Sequence, residues 1–220
     1  DYKKMLDTVV QSSFSNQGQI CLSSSRILIQ TEIFKQFKKD FIGKVAELIV
    51  GDPQNIGSDL GAVSSENHFE KIMNYIALAE KEGGKILWGG KAVKLNGRCK
   101  KGWFIKPTII EGLTNAAKTN QEEIFGPVVT LIPFDNEEDA VQIANESDYG
   151  LSATIWTENE EKANRVSNQV EAGVIWVNCW LVRDLRTPFG GMKQSGMGRE
   201  GGSEALRFFT EQKNVCTSTV

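Results

Sequence analysis

The sequence predicts an α/β protein, a largely parallel sheet flanked by helices and followed by an extended C-terminal tail. Two patterns carry this expectation. Short runs rich in β-branched and aromatic residues alternate with longer stretches whose apolar residues recur every three or four positions. Glycine and proline clusters fall between these stretches rather than inside them, so the punctuation agrees with the periodicity. Repeated strand–helix alternation is what a sheet covered by crossover helices requires.

Tyr2, Met5, Leu6, Val9 and Val10 follow helical spacing, so the chain opens in an amphipathic helix that ends before Asn16. A polar loop leads to residues 26–30, a short apolar strand. From about Glu32 a helix carries Phe34, Phe37, Phe41, Val45 and Leu48 on one stripe. Gly51-Asp52-Pro53 breaks it, and a Gly/Ser/Asn-rich loop runs to Ser64. Ser64 or Ser65 caps the next helix, whose stripe is Phe69, Ile72, Met73, Ile76 and Ala77 and whose stop is Gly83-Gly84. Residues 86–88 read as a strand, and 91–101 as an exposed basic excursion. Residues 103–110 and 128–134 are two further strands. Asp135 with Glu138 resembles a capping box for a helix through Ala144; Thr157 with Glu160 does the same for a helix bearing Ala163, Val166 and Val170. Between and after these helices lie strands at 152–156 and 174–177. Beyond Asn178 the texture changes to a long Gly-rich loop at 188–202. A short helix around Leu206 and Phe209 follows, then a β-branched tail from Lys213.

With 40% hydrophobic and 24% charged residues, the chain has the composition of an ordinary globular protein. A formal net charge of −3 gives no case for nucleic acid. No apolar run approaches the roughly 18 residues that span a bilayer, and no signal-peptide core is evident. Cys21, Cys99, Cys179 and Cys216 are scattered without C-x-x-C spacing, and the single histidine, His68, groups with none of them. Neither a disulfide framework nor a metal site is expected; reduced thiols in the cytoplasm are. The chain opens at Asp1 directly into a helical pattern, which suggests a cut inside a longer protein.

Cys21 is the most informative residue. It sits in a polar, Gly-containing loop between two patterned elements, the setting of reactive rather than inert thiols. A semi-buried structural cysteine is the competing reading. A cysteine-protease reading would need His68 as base, and nothing else marks that residue. The stretch 190–200 is rich in glycine but lacks the G-K-[ST] ending of a phosphate loop, so a close-packed connection explains it better. Glu122-Glu123 are a solvated acidic pair or, beside Phe125, a grip on a ring-bearing polar ligand. Arg183 and Arg186 follow a sheet strand. They are either surface partners of Asp184 or carboxylate anchors, since loops past the carboxyl ends of parallel strands line ligand crevices.

Five segments occur in one order along the chain: residues 16–21 with Ser25-Arg26, 122–127, Tyr149-Gly150-Leu151, 173–178 and 188–196. Together they resemble the carboxy-terminal catalytic part of the NAD(P)-dependent aldehyde dehydrogenases, over essentially the whole chain. Within that family, residues 178–188 look most like the 2-aminomuconate and 2-hydroxymuconate semialdehyde dehydrogenases.

The resemblance implies Cys21 as the nucleophile that forms a thiohemiacetal and then a thioester, its N–H supplying half the oxyanion hole. Asn16 would support that loop. Glu123 would hold the ribose hydroxyls of NAD or NADP with Phe125 packed against it, and His68 and Lys71 would add further ribose contacts. Arg183, with Trp180 in the same segment, would face a carboxylate-bearing aldehyde. The family's main cofactor-binding fold, its oxyanion asparagine and its water-activating glutamate would all lie before Asp1. Losing one oxyanion donor alone costs about a hundred- to a thousandfold in rate, so the isolated chain is expected to be inactive. Residues 1–188 would form the catalytic domain lacking its upstream start. Residues 189–220 would form a Gly-rich connection, a short helix and an oligomerisation strand for a homodimer or homotetramer. A betaine- or general aliphatic-aldehyde enzyme, a cofactor-free thiol esterase and a non-catalytic assembly module remain alternatives.

Overall fold

A computed structural model describes residues 1–219. Helix α1 (Tyr2–Phe14) ends in a 3-10 turn, Ser15–Gly18, and the nucleophile-candidate loop leads into β1 (Arg26–Gln30) and α2 (Thr31–Ala46). Helix α3 (Glu66–Lys81) precedes β2 (Lys85–Trp88), β3 (Ala92–Val93), β4 (Phe104–Ile105) and β5 (Thr108–Glu111). A one-turn helix, α4 (Lys118–Gln121), comes before β6 (Val128–Phe134), α5 (Glu137–Asn145), β7 (Tyr149–Gly150) and β8 (Ser152–Ile155). The order closes with α6 (Glu160–Gln169), β9 (Val174–Val177), β10 (Met192–Lys193) and α7 (Gly202–Phe209).

The main sheet has the order β1-β6-β5-β2, with the first two pairings parallel and β5–β2 antiparallel. It is therefore mixed. Strands β8 and β9, joined through α6, form a separate parallel pair. The first five residues of β6 are all buried, the continuous apolar run of a strand covered on both faces. One cover comes from α1 and α2, whose Leu6, Val10, Phe14, Phe37, Phe41 and Val45 pack on Ile27, Ile29 and Leu131. The other comes from α3, whose Ile72, Ile76 and Ala79 pack on Ile110 and Val128. The stripes read from the sequence are these two covers.

Local details differ from expectation for identifiable reasons. The single strand expected over 103–110 is two strands. Pro107 has no N–H to give a ladder, so β4 turns aside to pair with β3 while β5 enters the main sheet. The excursion 91–101 accordingly contains β3. The caps of α5 and α6 are Asn136 and Asn159 rather than Asp135 and Thr157, because each asparagine oxygen accepts from the amide three residues on, at 2.9 and 2.8 Å. Thr157 instead accepts from the Asn159 amide. The Gly-rich loop is partly ordered: β10 pairs with β7, and Phe189 bridges to Glu200. Residues 211–219 carry no helix or strand.

Phe41 is fully buried and stacks on Phe37 and Phe14, with centroids 5.4 and 6.2 Å apart. Phe41→Ala is expected to lower stability by about 3–5 kcal/mol, read as a fall in denaturant midpoint. Gly43, two residues on, has open space around its missing Cβ. Gly43→Ala is expected to raise stability by about 0.5–1 kcal/mol in the same assay.

Candidate functional site

The loop carrying Cys21 begins with a sharp reversal. Asn16, Gln17 and Gly18 all take left-handed backbone conformations, with φ of 51°, 58° and 67°. Asparagine tolerates that region; Nδ2 of Asn16 donates to Gln19 O at 3.1 Å and its carbonyl accepts from the Gln19 amide. Gly18 is required for a second reason: a Cβ there would lie 2.2 Å from Gly126 O. Downstream, the Ser23 amide donates to Ile20 O and the Ser24 amide to Ser12 O, and the hydroxyls of Ser12 and Ser24 are 2.9 Å apart. The Trp180 indole N–H donates to Leu22 O at 2.9 Å. Within this held backbone the Cys21 side chain is exposed, and its amide donates to nothing among the described residues.

The facing loop, 122–127, hangs on α3. Ser65 caps the helix by accepting from the His68 amide. One turn apart on the same face, the His68 ring meets Phe125 O from Nε2 at 2.6 Å and Lys71 Nζ donates to Glu123 O at 2.7 Å. A turn further on, the Tyr75 hydroxyl donates to the Glu122 carboxylate. That bond, with partial burial, pushes the Tyr75 phenol up to about 12. The two side chains expected to reach a ribose are thus engaged with backbone carbonyls of the loop. The Glu123 carboxylate has no partner among the described residues, and Phe125 sits at a φ of 58°.

Both loops open on one cleft of about 430 Å³, lined among others by Cys21, Ser23, Asn120, Glu123, Phe125 and Ser152. Two buried polar atoms there, Ser23 Oγ and Asn120 Oδ1, have no hydrogen-bond partner among the described residues.

The segment after β9 is fixed by a second indole. Trp176 Nε1–H donates to Val182 O at 2.8 Å, as Trp180 does to Leu22 O. Asn178 and Leu181 take left-handed conformations between these anchors. The two arginines separate clearly: Arg186 pairs with Asp184, while Arg183 lies 4.1 Å from the Phe189 ring centroid and pairs with Glu200 at 2.6 Å. Neither Arg183 nor Trp180 lines the cleft; they belong to the segment that flanks the Cys21 loop. Trp180 acts here as a strut. Sequence reasoning missed that role, the Ser12–Ser24 tie, and Glu200; each depends on partners distant in the chain.

Removing the strut with Trp180→Phe keeps a smaller aromatic ring and deletes one hydrogen bond, worth about 0.5–1.5 kcal/mol. Amide hydrogen exchange at Ser23 and Ser24 is expected to quicken by about two- to tenfold while α2 is unchanged. Unaltered exchange would show that the indole does not restrain the loop. The folded-state pKa of Tyr75 lies above its ordinary value, so its contribution is complete below about pH 10 and lost as the pH rises through about 12. Tyr75→Phe is expected to remove one late-ionising phenol from an ultraviolet titration and to reduce the loss of stability in that window.

A model of the aldehyde dehydrogenase family matches residues 1–215. The 2-aminomuconic semialdehyde dehydrogenase of Bos taurus is 45% identical over 212 residues, which are 96% of this chain and 44% of that protein. The 2-hydroxymuconic semialdehyde dehydrogenase of Pseudomonas sp. (strain CF600) is 44% identical over 216 residues, 98% of this chain and 44% of that one. The chain spans less than half the length of these relatives. Among solved structures, betaine aldehyde dehydrogenase from Staphylococcus aureus in complex with NAD+ has a TM-score of 0.90 at 36% identity, covering 95% of this chain and 41% of that one. HpcC from Thermus thermophilus has a TM-score of 0.91 at 35% identity, covering 100% and 44%. With the family model matching residues 1–215, the chain belongs to the aldehyde dehydrogenase family.

Proposed function

We propose that this chain is the nucleophile-bearing part of an NAD(P)-dependent aldehyde dehydrogenase acting on a semialdehyde that carries a carboxylate. One observation carries the reading: an exposed thiol, on a backbone held by its neighbours, shares a cleft with the Glu123 carboxylate, and among the described residues neither the Cys21 amide nor that carboxylate has a partner. The Cys21 thiolate attacks the aldehyde carbon, forming a C–S bond and moving the carbonyl pair onto oxygen. The Cys21 N–H faces the resulting oxyanion as one of its donors. When bound, the nicotinamide supplies the hydride acceptor. Re-formation of the carbonyl leaves a thioester on Cys21, and water releases the acid and returns the thiol. Trp180 and the Ser12–Ser24 pair keep the loop in place through both steps.

The residues present fit the ribose-bearing cofactor. The Glu123 carboxylate has acceptor capacity for two hydroxyls, and Phe125 offers an apolar face beside it. His68 and Lys71 serve this binding indirectly, by fixing the carbonyls of the loop that presents Glu123. The names of the most similar relatives and the cationic side chain of Arg183 support an acid-bearing substrate. A charged hydrogen bond contributes about 1.5–3 kcal/mol, enough for one to two orders of magnitude in preference. Assembly as a homodimer or homotetramer accompanies this reading, supported by the exposed Leu206, Phe208 and Phe209 of α7.

The test joins this chain to the preceding part of the Bos taurus relative. The joined enzyme is expected to reduce NAD(P)+ in an aldehyde-dependent way that Cys21→Ser abolishes, while the 220-residue chain alone gives no turnover. Arg183→Leu is expected to lower kcat/KM for a semialdehyde acid by about ten- to a hundredfold relative to a neutral aldehyde. An unchanged ratio would end the substrate reading in favour of a betaine- or aliphatic-aldehyde enzyme. Activity surviving Cys21→Ser would end the nucleophile assignment.

A further inference from the structure

Arg183 does not wait in solvent for a ligand; it is already held on two sides. Phe189 and Glu200 face each other across an antiparallel bridge, with the Phe189 amide donating to Glu200 O at 2.7 Å and the Glu200 amide to Phe189 O at 2.8 Å. Residues directly opposed in such a pair project side chains to the same face. The Arg183 guanidinium therefore lies over the Phe189 ring, with Cζ 4.1 Å from its centroid, while Glu200 Oε1 accepts from Nη2. The other donors of Arg183, Nε and Nη1, have no acceptor among the described residues, and 39% of the side chain is exposed. Neighbouring charges do not compete: Asp184 is taken by Arg186, and Arg199 donates to Gly191 O and Gly198 O. The backbone leading to Arg183 is pinned at Val182 O.

We infer that Glu200 is a positioning and selectivity residue for the carboxylate that Arg183 receives. It orients the guanidinium through a hydrogen bond, and its negative charge moderates how tightly a second carboxylate is held. This rests on the Arg183 reading given above. The two effects oppose each other and belong to different properties of the same group. Orientation needs an acceptor oxygen, which glutamine also supplies. Moderation needs the charge, which glutamine lacks. An acid product keeps the carboxylate that anchored the substrate, so a guanidinium already paired with Glu200 releases it more readily than a bare one.

The experiment uses the whole 220-residue chain, labelled with 15N, and follows the Arg183 Nε–H and the amides of 181–189 during titration with glutarate. Glutaramide is the uncharged control. Glutarate, and not glutaramide, is expected to shift these signals, and Glu200→Gln is expected to tighten the binding by about two- to fivefold, the size of an exposed charge–charge effect. Glu200→Ala, which loses the orientation as well, is expected to gain less than Glu200→Gln. Glutarate binding that is unchanged or weaker in Glu200→Gln, yet lost in Arg183→Leu, overturns the role of Glu200 and leaves Arg183 as the anchor. Absence of any glutarate response in the wild-type chain, or a response that survives Arg183→Leu, removes the anchor itself and this inference with it.

Discussion

The site depends on one close approach of two backbones. At Gly18 the chain is left-handed, and the space a side chain would take is filled by the carbonyl of Gly126. Gly126 in turn has the Ile72 side chain where its own Cβ would be, 2.6 Å away. Two loops and a helix are therefore stacked with no side chain between the loops. A larger residue at Gly18 would push the Cys21 loop off the loop of Glu123 and Phe125, and one at Gly126 would press instead on Ile72 of α3. Once the loops are in contact, α3 completes the arrangement: His68, Lys71 and Tyr75 reach up one face to hold the second loop at successive points. Left-handed non-glycine residues at Asn16, Gln17 and Phe125 each cost of order 1–3 kcal/mol, and they cluster at this junction. Such strain persists only where the surroundings over-determine it. Here the doubly covered sheet does so, since β1 and β6 emerge directly from the two loops and pair in parallel.

That pairing also explains where the cleft lies. Ligands of open parallel sheets usually sit beyond the carboxyl ends of the strands, which is where the segment after β9 that bears Arg183 lies. Cys21 and Glu123 do not. They precede β1 and β6, at the amino ends of parallel strands, and the glycine contact rather than strand direction brings them together. The segment after β9 joins them because Trp180 crosses to Leu22.

The sequence is legible wherever the information is local. The stripes of α1, α2 and α3, the runs of β1, β6 and β9, and the Ser65 cap follow from periodicity and from side chains that reach only three or four residues. Pro107 stands in plain view inside a run that reads as one strand; there the apolar pattern outweighs the missing N–H. The asparagine caps lie one or two residues from the expected ones, because Asp135-Asn136 and Thr157-Asn159 each offer two competent oxygens and backbone geometry chooses between them. The site residues are nameable from motifs, but their partners are not. That His68 meets a carbonyl, that Trp180 reaches Leu22 across 158 positions, and that Glu200 pairs with Arg183 are all consequences of folding.

The two indoles give this last group a common physical logic. An indole N–H buried without an acceptor forfeits about 1–3 kcal/mol; Trp176 and Trp180 avoid that cost by meeting backbone carbonyls, whereas the Trp88 indole has no acceptor among the described residues. Their acceptors, Val182 O and Leu22 O, lie on the segment that bears Arg183 and on the loop that bears Cys21 respectively. The segment is thus fastened to its own strand at one point and to the cysteine loop at another, four residues apart in the donors. A shift of the segment that satisfied one indole would strand the other. The segment that bears Arg183 and the loop that bears Cys21 are consequently tied through the Trp180 indole. Substitutions at Trp176 or Trp180 act on these ties directly, whereas Glu200 touches Arg183 without taking part in either.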